Sequence, residues 1–159
     1  MELTAATHAD LPQLAALYAS FRMPELLFAP WSAAEKQRFV EEQFALQHQH
    51  FVRHFAKADF WKIRAVDGGP LVGRLYLDRS RAEWHLIDFG LLPAVRGKGL
   101  GSALIAWLQG VAREAGARSL MLQVALNNPR ATALYARTGF VNSGVAQATH
   151  QPMRWAIRS

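Results

Sequence analysis

The chain has 159 residues, of which 51% are hydrophobic and 19% charged, and it contains no cysteine. This composition fits a single domain over residues 1–159 with ample material for a core, and it excludes disulfides, thiolate nucleophiles and cysteine-based metal sites. The net charge of +6 is uneven, because residues 1–50 carry three basic and six acidic side chains and residues 51–159 carry fifteen and six.

This charge pattern favours an anionic partner for the later part of the chain, and nucleic acid, acidic lipid and a phosphorylated cofactor all qualify. The first residues lack the basic stretch and apolar run of a signal peptide, and no apolar run approaches the roughly 18 residues of a membrane span. We therefore expect a cytoplasmic protein that has no membrane partner.

The N-terminal part predicts a short strand and two helices. Residues 2–7 are typical of a strand, and Asp10 is expected to cap the helix that follows it. Ser32 and Glu35 have the spacing of a capping box, in which each side chain satisfies a free amide at a helix start. A long second helix should follow Ser32.

The second helix is rich in Gln and His over residues 43–54, which fits either a solvated face or a wall of an acceptor pocket. His50 and His54 lie four residues apart, as two metal ligands could. No carboxylate stands at a matching spacing, so no metal site is expected.

Strand patterns dominate the next segment. Residues 60–66 and 71–78 alternate in polarity around the turn at residues 67–70, which predicts an antiparallel hairpin. A third strand should run over residues 83–92 and stop at Pro93. The order of a helix pair, a meander and then helix, strand, helix and strand indicates an α+β fold with a mixed sheet.

A glycine-rich loop, Arg-Gly-Lys-Gly-Leu-Gly at residues 96–101, follows the third strand and opens an apolar helix. The amides of such a helix start converge on one point and favour a phosphate, and glycine allows it to approach closely. A dinucleotide fingerprint is excluded because Ser102 or Leu104 stands at the third glycine position. A P-loop is excluded because Gly99 follows Gly97-Lys98. A plain flexible turn remains the alternative.

A second motif follows a strand predicted over residues 119–124. Asn128 as N-cap, Pro129 in the first turn and Gly139 after the last turn predict a short helix with defined ends. Tyr135 lies on this helix. Each of these residues could be purely structural.

Together the two segments resemble the GNAT acyltransferase superfamily. The loop Arg96, Gly99 and Gly101 is similar to the family pattern Arg/Gln-x-x-Gly-x-Gly/Ala. The later helix matches the pattern Asn-x-x-Ala-x-x-Leu-Tyr-x-x-x-Gly-Phe with Asn128, Ala131, Leu134, Tyr135, Gly139 and Phe140. The resemblance is close over residues 83–141. It implies one α+β domain whose mixed, mostly antiparallel twisted sheet has about six or seven strands and is flanked by about four helices.

The resemblance also implies acetyl-CoA as co-substrate. Backbone groups of two strand residues would pair with the pantetheine arm, amides of the glycine loop would bind the pyrophosphate, and Lys98 would add charge. Asn128 would hold CoA or an ordered water, and Tyr135 would be the proton donor beside the thioester sulfur. The implied cofactor-binding residues are Leu91, Leu92, Arg96, Gly97, Lys98, Gly99, Leu100, Gly101, Ser102, Asn128 and Tyr135.

The general base is where the chain departs from the family. His85 stands where histone-type relatives have a catalytic Glu, and Gln123 stands where ribosomal-protein-type relatives have one. His85 titrates near neutrality and could serve as base, or Asp88 or Glu83 on the same strand could act through water. Strand alternation puts His85 and Asp88 on opposite faces, and a structural role for Asp88 stays open.

The resemblance therefore implies an N-acetyltransferase that moves an acetyl group from acetyl-CoA to a primary amine of a small molecule, peptide or protein. Direct attack in a ternary complex is expected, because the chain has no thiol nucleophile. A non-catalytic CoA-binding or sensor protein of the same fold is the alternative. A nucleic-acid-binding module is disfavoured, because the basic residues are scattered and no aromatic stacking set is visible. A homodimer is compatible with the sequence.

Overall fold

A computed structural model of the chain describes residues 1–158. Its strands are β1 (Glu2–Ala5), β2 (Asp59–Arg64), β3 (Leu71–Asp78), β4 (Glu83–Leu91), β5 (Ser119–Ala125), β6 (Val141–Asn142) and β7 (His150–Ala156). Its α-helices are α1 (Leu11–Arg22), α2 (Ala33–His54), α3 (Leu100–Glu114) and α4 (Pro129–Arg137). Short 3-10 helices cover His8–Asp10, Met23–Leu26 and Pro93–Val95.

The strands form one seven-stranded sheet in the order β1-β2-β3-β4-β5-β7-β6. β4 and β5 are parallel, as their connection through α3 requires. β1 pairs with β2, and β7 with both β5 and β6, in antiparallel fashion. The expected α+β class with a mixed, mostly antiparallel sheet is thus confirmed.

The described residues group into two compact units. The first unit contains Met1–Leu75 and Phe89–Ala94, and the second contains Tyr76–Asp88 and the chain from Val95 onward. The first unit contains α1 and α2, and the second contains α3 and α4.

In the first unit, α1 and α2 pack through a buried apolar cluster. Ser32 caps α2 as predicted, because the Glu35 amide donates to Ser32 Oγ over 3.1 Å, but the Glu35 carboxylate accepts from the Ser32 hydroxyl at 3.2 Å and so supplies only half of the expected capping box. The cluster that these two helices and the adjacent turn enclose consists of Leu14, Leu17, Tyr18, Leu26, Val40 and Phe44.

The polar side chains of α2 have mixed surroundings. Gln47 accepts a hydrogen bond of 2.8 Å from the buried Arg74, whereas His50 and His54 are exposed and their tilted rings have centroids 4.5 Å apart. Within residues 1–158, no three His, Asp or Glu side chains cluster as a metal site.

Asp10 precedes α1 as expected, but its side chain does not cap that helix. Its carboxylate instead accepts the Thr7 amide at 2.8 Å and the Lys62 ammonium at 2.9 Å. These bonds lower the pKa of Asp10, the Thr7 amide most strongly. Asp10 therefore ties the start of α1 to β2.

In the second unit, alternate residues of the strands face α3. One face carries Trp84 and Leu86 of β4 with their β5 partners Leu120 and Leu122, and all four are buried. α3 covers this face with buried residues, and Arg113 at its end lies 5.3 Å from the Trp155 ring of β7. The residues that α3 buries are Leu104, Ile105, Leu108 and Ala112.

In the part of the chain that the structure covers, no helix combines the length and the apolar character of a membrane span.

Candidate active site

Strands β4 and β5 pair only along their first halves. Their parallel register ends at Leu86 and Leu122, although β4 continues to Leu91 and β5 to Ala125. The facing edges of the two strands are therefore not bonded to each other beyond this point. A strand edge that no neighbouring strand covers can bond an extended ligand through its backbone.

The glycine loop turns directly into α3. Gly97 and Gly99 have φ of 76° and 80°, a left-handed conformation that costs other residues energy. A Cβ atom at either position would meet no atom of residues 1–158 within 4 Å, so the backbone faces open space. Gly99 is the N-cap of α3, and no described side chain caps the helix. The first amides of α3 are free for an anion, which fits a pyrophosphate.

Leu91 ends β4 in the first unit, and Leu92 directly follows it. Leu91 is buried, and the Leu92 amide donates to the Val72 carbonyl over 2.8 Å. Because that N–H is already bonded, only the carbonyl of Leu92 is left for a pantetheine arm.

Asn128 caps α4 as the sequence predicts. Its Oδ1 accepts the Ala131 amide at 3.1 Å, and Pro129 is the first residue of the helix. The Oδ1 bond uses the carbonyl end of the amide and leaves the Nδ2 group to donate to a ligand or water.

Tyr135 lies in the last turn of α4, in the second unit, and is only 7% exposed. Its ring meets the Phe140 ring edge-on at 5.6 Å between centroids. Burial, and next the nearby Asp88 carboxylate, raise the pKa of Tyr135. The phenol is therefore protonated at neutral pH and can donate its proton.

His85 lies in different surroundings. Its register neighbour in β5 is Met121, which pairs in turn with Arg154 of β7, so these three residues occupy the face opposite Trp84 and Leu86. Burial lowers the pKa of His85, and the Asp78 and Glu83 carboxylates oppose that effect. Asp88 is thus close enough to Tyr135 for its charge to affect the phenol, whereas the carboxylates near His85 are Asp78 and Glu83.

The family of this chain follows from a comparison with family models. The model described as the Acetyltransferase (GNAT) family matches residues 20–140, a span that contains the glycine loop, Asn128 and Tyr135. The chain belongs to the GNAT family. The resemblance drawn from the two motifs is confirmed, and the chain is by class an N-acetyltransferase.

Similar proteins agree with this GNAT assignment. Uncharacterized N-acetyltransferase YdgE of Bacillus subtilis is 36% identical over 131 residues, which cover 79% of this chain and 82% of YdgE. Uncharacterized N-acetyltransferase YycN of the same organism is 35% identical over 92 residues, which cover 55% of this chain and 58% of YycN. The match to YycN therefore spans little more than half of that relative.

A solved structure shows the same GNAT fold. The crystal structure of PaiA N-acetyltransferase from Thermoplasma acidophilum in complex with coenzyme A has a TM-score of 0.72 and 17% identity, with 98% of each chain covered.

Sequence reasoning missed how this GNAT-family chain joins α4 to α3. Arg137 Nη2 donates to Ser102 Oγ at 3.4 Å, and Gln109 Nε2 donates to the Thr138 carbonyl at 2.8 Å. Helical spacing could have placed Gln109 on an outer face of α3, but the partner helix is visible only in the structure. These bonds place the helix that carries Tyr135 beside the helix that begins at the glycine loop.

Proposed function

We propose that this GNAT-family protein transfers an acetyl group from acetyl-CoA to a primary amine of a small molecule, peptide or protein, by direct attack in a ternary complex. The observation that carries the proposal is the uncapped start of α3 behind Gly97 and Gly99, joined to the helix that holds the buried Tyr135 phenol. An anion site beside a proton donor is what transfer from a phosphorylated thioester requires.

Backbone groups of this chain make the main contacts to the donor. The amides of residues 96–102 receive the pyrophosphate, and the exposed Lys98 adds positive charge nearby. The edge of β4 beyond its pairing with β5 receives the pantetheine arm. Asn128 Nδ2 donates to the arm or to an ordered water. These contacts fix the position of the thioester, and this positioning accounts for much of the rate increase of a bound donor over a free one.

The transfer forms a carbon–nitrogen bond, breaks a carbon–sulfur bond and moves two protons. CoA supplies an acetyl group that is already activated as a thioester. The amine nitrogen forms a bond to the acetyl carbon, the carbon–sulfur bond breaks, and the sulfur leaves as a thiolate. Tyr135 donates its phenolic proton to that thiolate, and the proton lost by the amine later restores the phenol through solvent.

We assign the first acceptor of the amine proton to Asp88, working through a water molecule. Asp88 is close enough to Tyr135 for its charge to raise the pKa of the phenol, whereas His85 lies near Asp78 and Glu83. A carboxylate near the proton donor lies close to both proton transfers, the one from the amine and the one from Tyr135 to the thiolate. His85 remains the second candidate.

The donor site is tested by binding of acetyl-CoA and CoA to Gly101→Glu. Position 101 is in the first turn of α3, where the helix dipole favours an acidic residue, so the fold should persist. The added carboxylate should repel the pyrophosphate and abolish binding in calorimetry. Gly110→Glu is the matched control, since a Cβ at Gly110 meets nothing within 4 Å and the position lies about 13 Å further along α3. Unchanged CoA affinity in Gly101→Glu would remove the donor site from this loop.

The reaction is tested with a panel of primary amines and a thiol reagent that reports free CoA. Amine-dependent release of CoA by wild type, lost in Gly101→Glu and kept in Gly110→Glu, is the expected result. Binding of acetyl-CoA without release for any amine in the panel would instead support a CoA sensor and contradict the enzyme.

A further inference from the structure

Arginines from separate parts of the sequence meet at one end of the sheet in the second unit. Arg79 and Arg81 lie in the turn between β3 and β4, and Arg118 lies between α3 and β5. The Arg118 amide donates to the Ala82 carbonyl at 2.7 Å, so the backbone of Arg118 contacts this turn. All three arginine side chains are exposed.

The last strand brings a fourth arginine to the same end of the sheet. β7 pairs with β5, and beyond it the Ile157 amide donates to the Arg118 carbonyl at 3.0 Å. Arg158 follows Ile157 and is exposed as well. We refer to Arg79, Arg81, Arg118 and Arg158 as the arginine surface.

The three segments that form this surface carry more positive than negative charge. Residues 78–83, 118–119 and 154–158 contain five arginines, no lysine and two carboxylates, Asp78 and Glu83. The last two residues of α3 add one arginine and one glutamate, which balance each other.

Both carboxylates of these segments are bonded within the protein. Asp78 accepts from the Ser80 amide at 2.8 Å and from the Ser80 hydroxyl at 2.6 Å. Glu83 accepts from the buried Ser119 hydroxyl at 2.7 Å and from Arg154 Nε at 3.2 Å. The one ion pair that they form therefore involves Arg154 and leaves out the four exposed arginines.

The guanidinium groups of the arginine surface point to an external anion. Within residues 1–158, the side chains of Arg81 and Arg118 make neither a hydrogen bond nor an ion pair. Arg79 lies over the buried Trp84 ring, 5.7 Å from its centroid. Like charges on one surface repel each other, and a bound anion relieves that repulsion.

Two features favour phosphate over the carboxylates of a protein partner or the surface of a membrane. Every cation of the three segments is an arginine, whose planar set of N–H donors matches phosphate oxygens. The described part of the second unit also has no large exposed apolar side chain in these segments, so they offer no anchor for a protein interface or for lipid. Its exposed large apolar side chains are Trp107, Leu126, Val141 and Val145.

The same absence favours a duplex over a single strand. Proteins that bind single strands stack the unpaired bases on exposed aromatic rings. Trp84, the aromatic ring beneath Arg79, is only 6% exposed. A duplex keeps its bases stacked and presents only phosphates to such a surface.

We propose that the arginine surface binds the phosphate backbone of duplex nucleic acid without reading its sequence. The sequence disfavours such a partner because its basic residues are scattered, and the main-chain bonds of Arg118 bring four of them to one surface. The inference goes beyond the proposed function, because none of these residues belongs to the glycine loop or to α4.

The test measures binding of a fluorescently labelled DNA duplex by anisotropy at several salt concentrations, with and without saturating CoA. Each phosphate contact contributes about −0.9 to the slope of log affinity against log salt, so wild type should show a slope of about −3 to −4. The variant Arg79→Gln, Arg81→Gln, Arg118→Gln should bind at least about tenfold more weakly at low salt and lose about 2 to 3 of that slope. Saturating CoA should leave the binding of wild type unchanged.

A matched control removes three exposed cations from the first unit by Arg38→Gln, Arg53→Gln and Lys57→Gln. It has the same net charge as the triple variant of the arginine surface and should keep the wild-type slope. The double variant Arg81→Gln, Arg118→Gln leaves the contact of Arg79 with Trp84 in place and should lose about 2 of the slope. Melting temperatures check that all three variants fold.

Equal loss of affinity in the control and in the triple variant would assign the binding to net charge and overturn the inference. Displacement of the duplex by CoA would assign it to the donor site and also overturn it. Tighter binding of the single strand, of polyglutamate or of phosphatidylserine vesicles than of the duplex would assign the arginine surface to another partner. Amine-dependent release of CoA should be unchanged in the triple variant, so failure of this inference leaves the proposed function standing.

Discussion

Tyr135 shows how one side chain acquires a chemical property from its surroundings. A phenol that is 7% exposed, packed on Phe140 and close to Asp88 resists ionisation. A raised pKa makes the phenol a weaker acid, so donation to a thiolate depends on short distance and exclusion of water rather than on acidity. The environment that keeps the proton on Tyr135 in the resting protein thus also protects it until the leaving group forms.

Tyr135→Phe should lower kcat by roughly 10- to 1,000-fold while CoA affinity and melting temperature stay near the wild-type values. The substitution keeps the ring that contacts Phe140 and removes only the hydroxyl. Single-turnover kinetics with saturating acetyl-CoA would measure the chemical step directly. An unchanged single-turnover rate would reduce Tyr135 to a packing residue.

The candidate base marks the limit of sequence reasoning at this scale. Strand alternation predicts that His85 and Asp88 lie on opposite faces, and the regular pairing of β4 with β5 extends over His85 but ends at Leu86, before Asp88. The pattern could not tell which face meets α4, since that depends on tertiary packing after the strands separate. Asp88 beside Tyr135, and His85 beside Asp78 and Glu83, are therefore results of the structure.

His85 should contribute to the pH dependence of stability. Burial lowers its pKa in the folded state, so the folded protein binds this proton less readily than the unfolded chain. The contribution is fully present above the unfolded pKa of about 6.5 and is lost as the pH falls through the lower folded pKa. Urea unfolding of His85→Gln should therefore lose less stability than wild type between about pH 7 and pH 5.

His8→Gln is a matched control for this measurement, because His8 is exposed and its loss should leave the wild-type pH dependence.

Activity measurements on His85→Gln and Asp88→Asn separate the two candidates for the general base. Asp88→Asn should lower kcat/KM by at least about tenfold, while His85→Gln should leave it near wild type. The reverse order of the two losses would transfer the role of base to His85.

At the scale of elements, local signals predicted where most helices begin. Ser32 with Glu35, and Asn128 with Pro129, are caps whose function depends on residues within one turn, so they are visible in the sequence. Gly99 at φ 80° starts α3 for the same local reason. Asp10 was the exception, since its carboxylate turns back to Thr7 and to Lys62, which lies far along the chain.

Elements defined by long-range pairing were harder to predict. The total of six or seven strands was expected, but the two-residue β6 and the insertion of β7 between β5 and β6 were not located. Alternation in β3 likewise concealed that residues 72–77 are buried on both faces, including Arg74 at 2% exposure. Both features depend on which elements cover the sheet, and no local pattern records that.

The two side-chain caps offer a paired prediction. Ser32→Ala and Asn128→Ala each remove an acceptor that lies 3.1 Å from a backbone amide of its helix. Each should therefore lower the free energy of unfolding by about 1 kcal/mol. Only Asn128→Ala should also weaken CoA binding, because only its Nδ2 group is proposed to donate to the pantetheine arm or to an ordered water. Equal CoA affinity in the two variants would limit Asn128 to capping.

For the whole molecule, charge distribution was the most informative property of the composition. The positive charge of residues 51–159 was predicted to meet an anion, and the glycine loop and α4 carry Arg96, Lys98, Arg130 and Arg137 with no acidic residue. Charge alone did not distinguish nucleic acid from a phosphorylated donor. The distinction came from the glycine loop and the Asn-to-Phe helix, and the match to the GNAT family model over residues 20–140 confirmed it. The acceptor amine has no comparable motif, because pocket shape is not encoded in a short segment.

The absence of cysteine from the whole chain leads to a prediction about the kinetic scheme. No thiol can accept the acetyl group, no Gly-x-Ser-x-Gly elbow presents a serine, and the pKa of the buried Tyr135 is raised, which makes its phenol a poor nucleophile. Initial rates at several fixed amine concentrations should therefore give intersecting rather than parallel double-reciprocal lines. Intact mass after incubation with acetyl-CoA alone should equal that of the untreated chain. An acetylated form that appears without amine and then transfers its acetyl group to amine at the rate of turnover would contradict direct attack, and Tyr135→Phe would show whether the phenol had carried it.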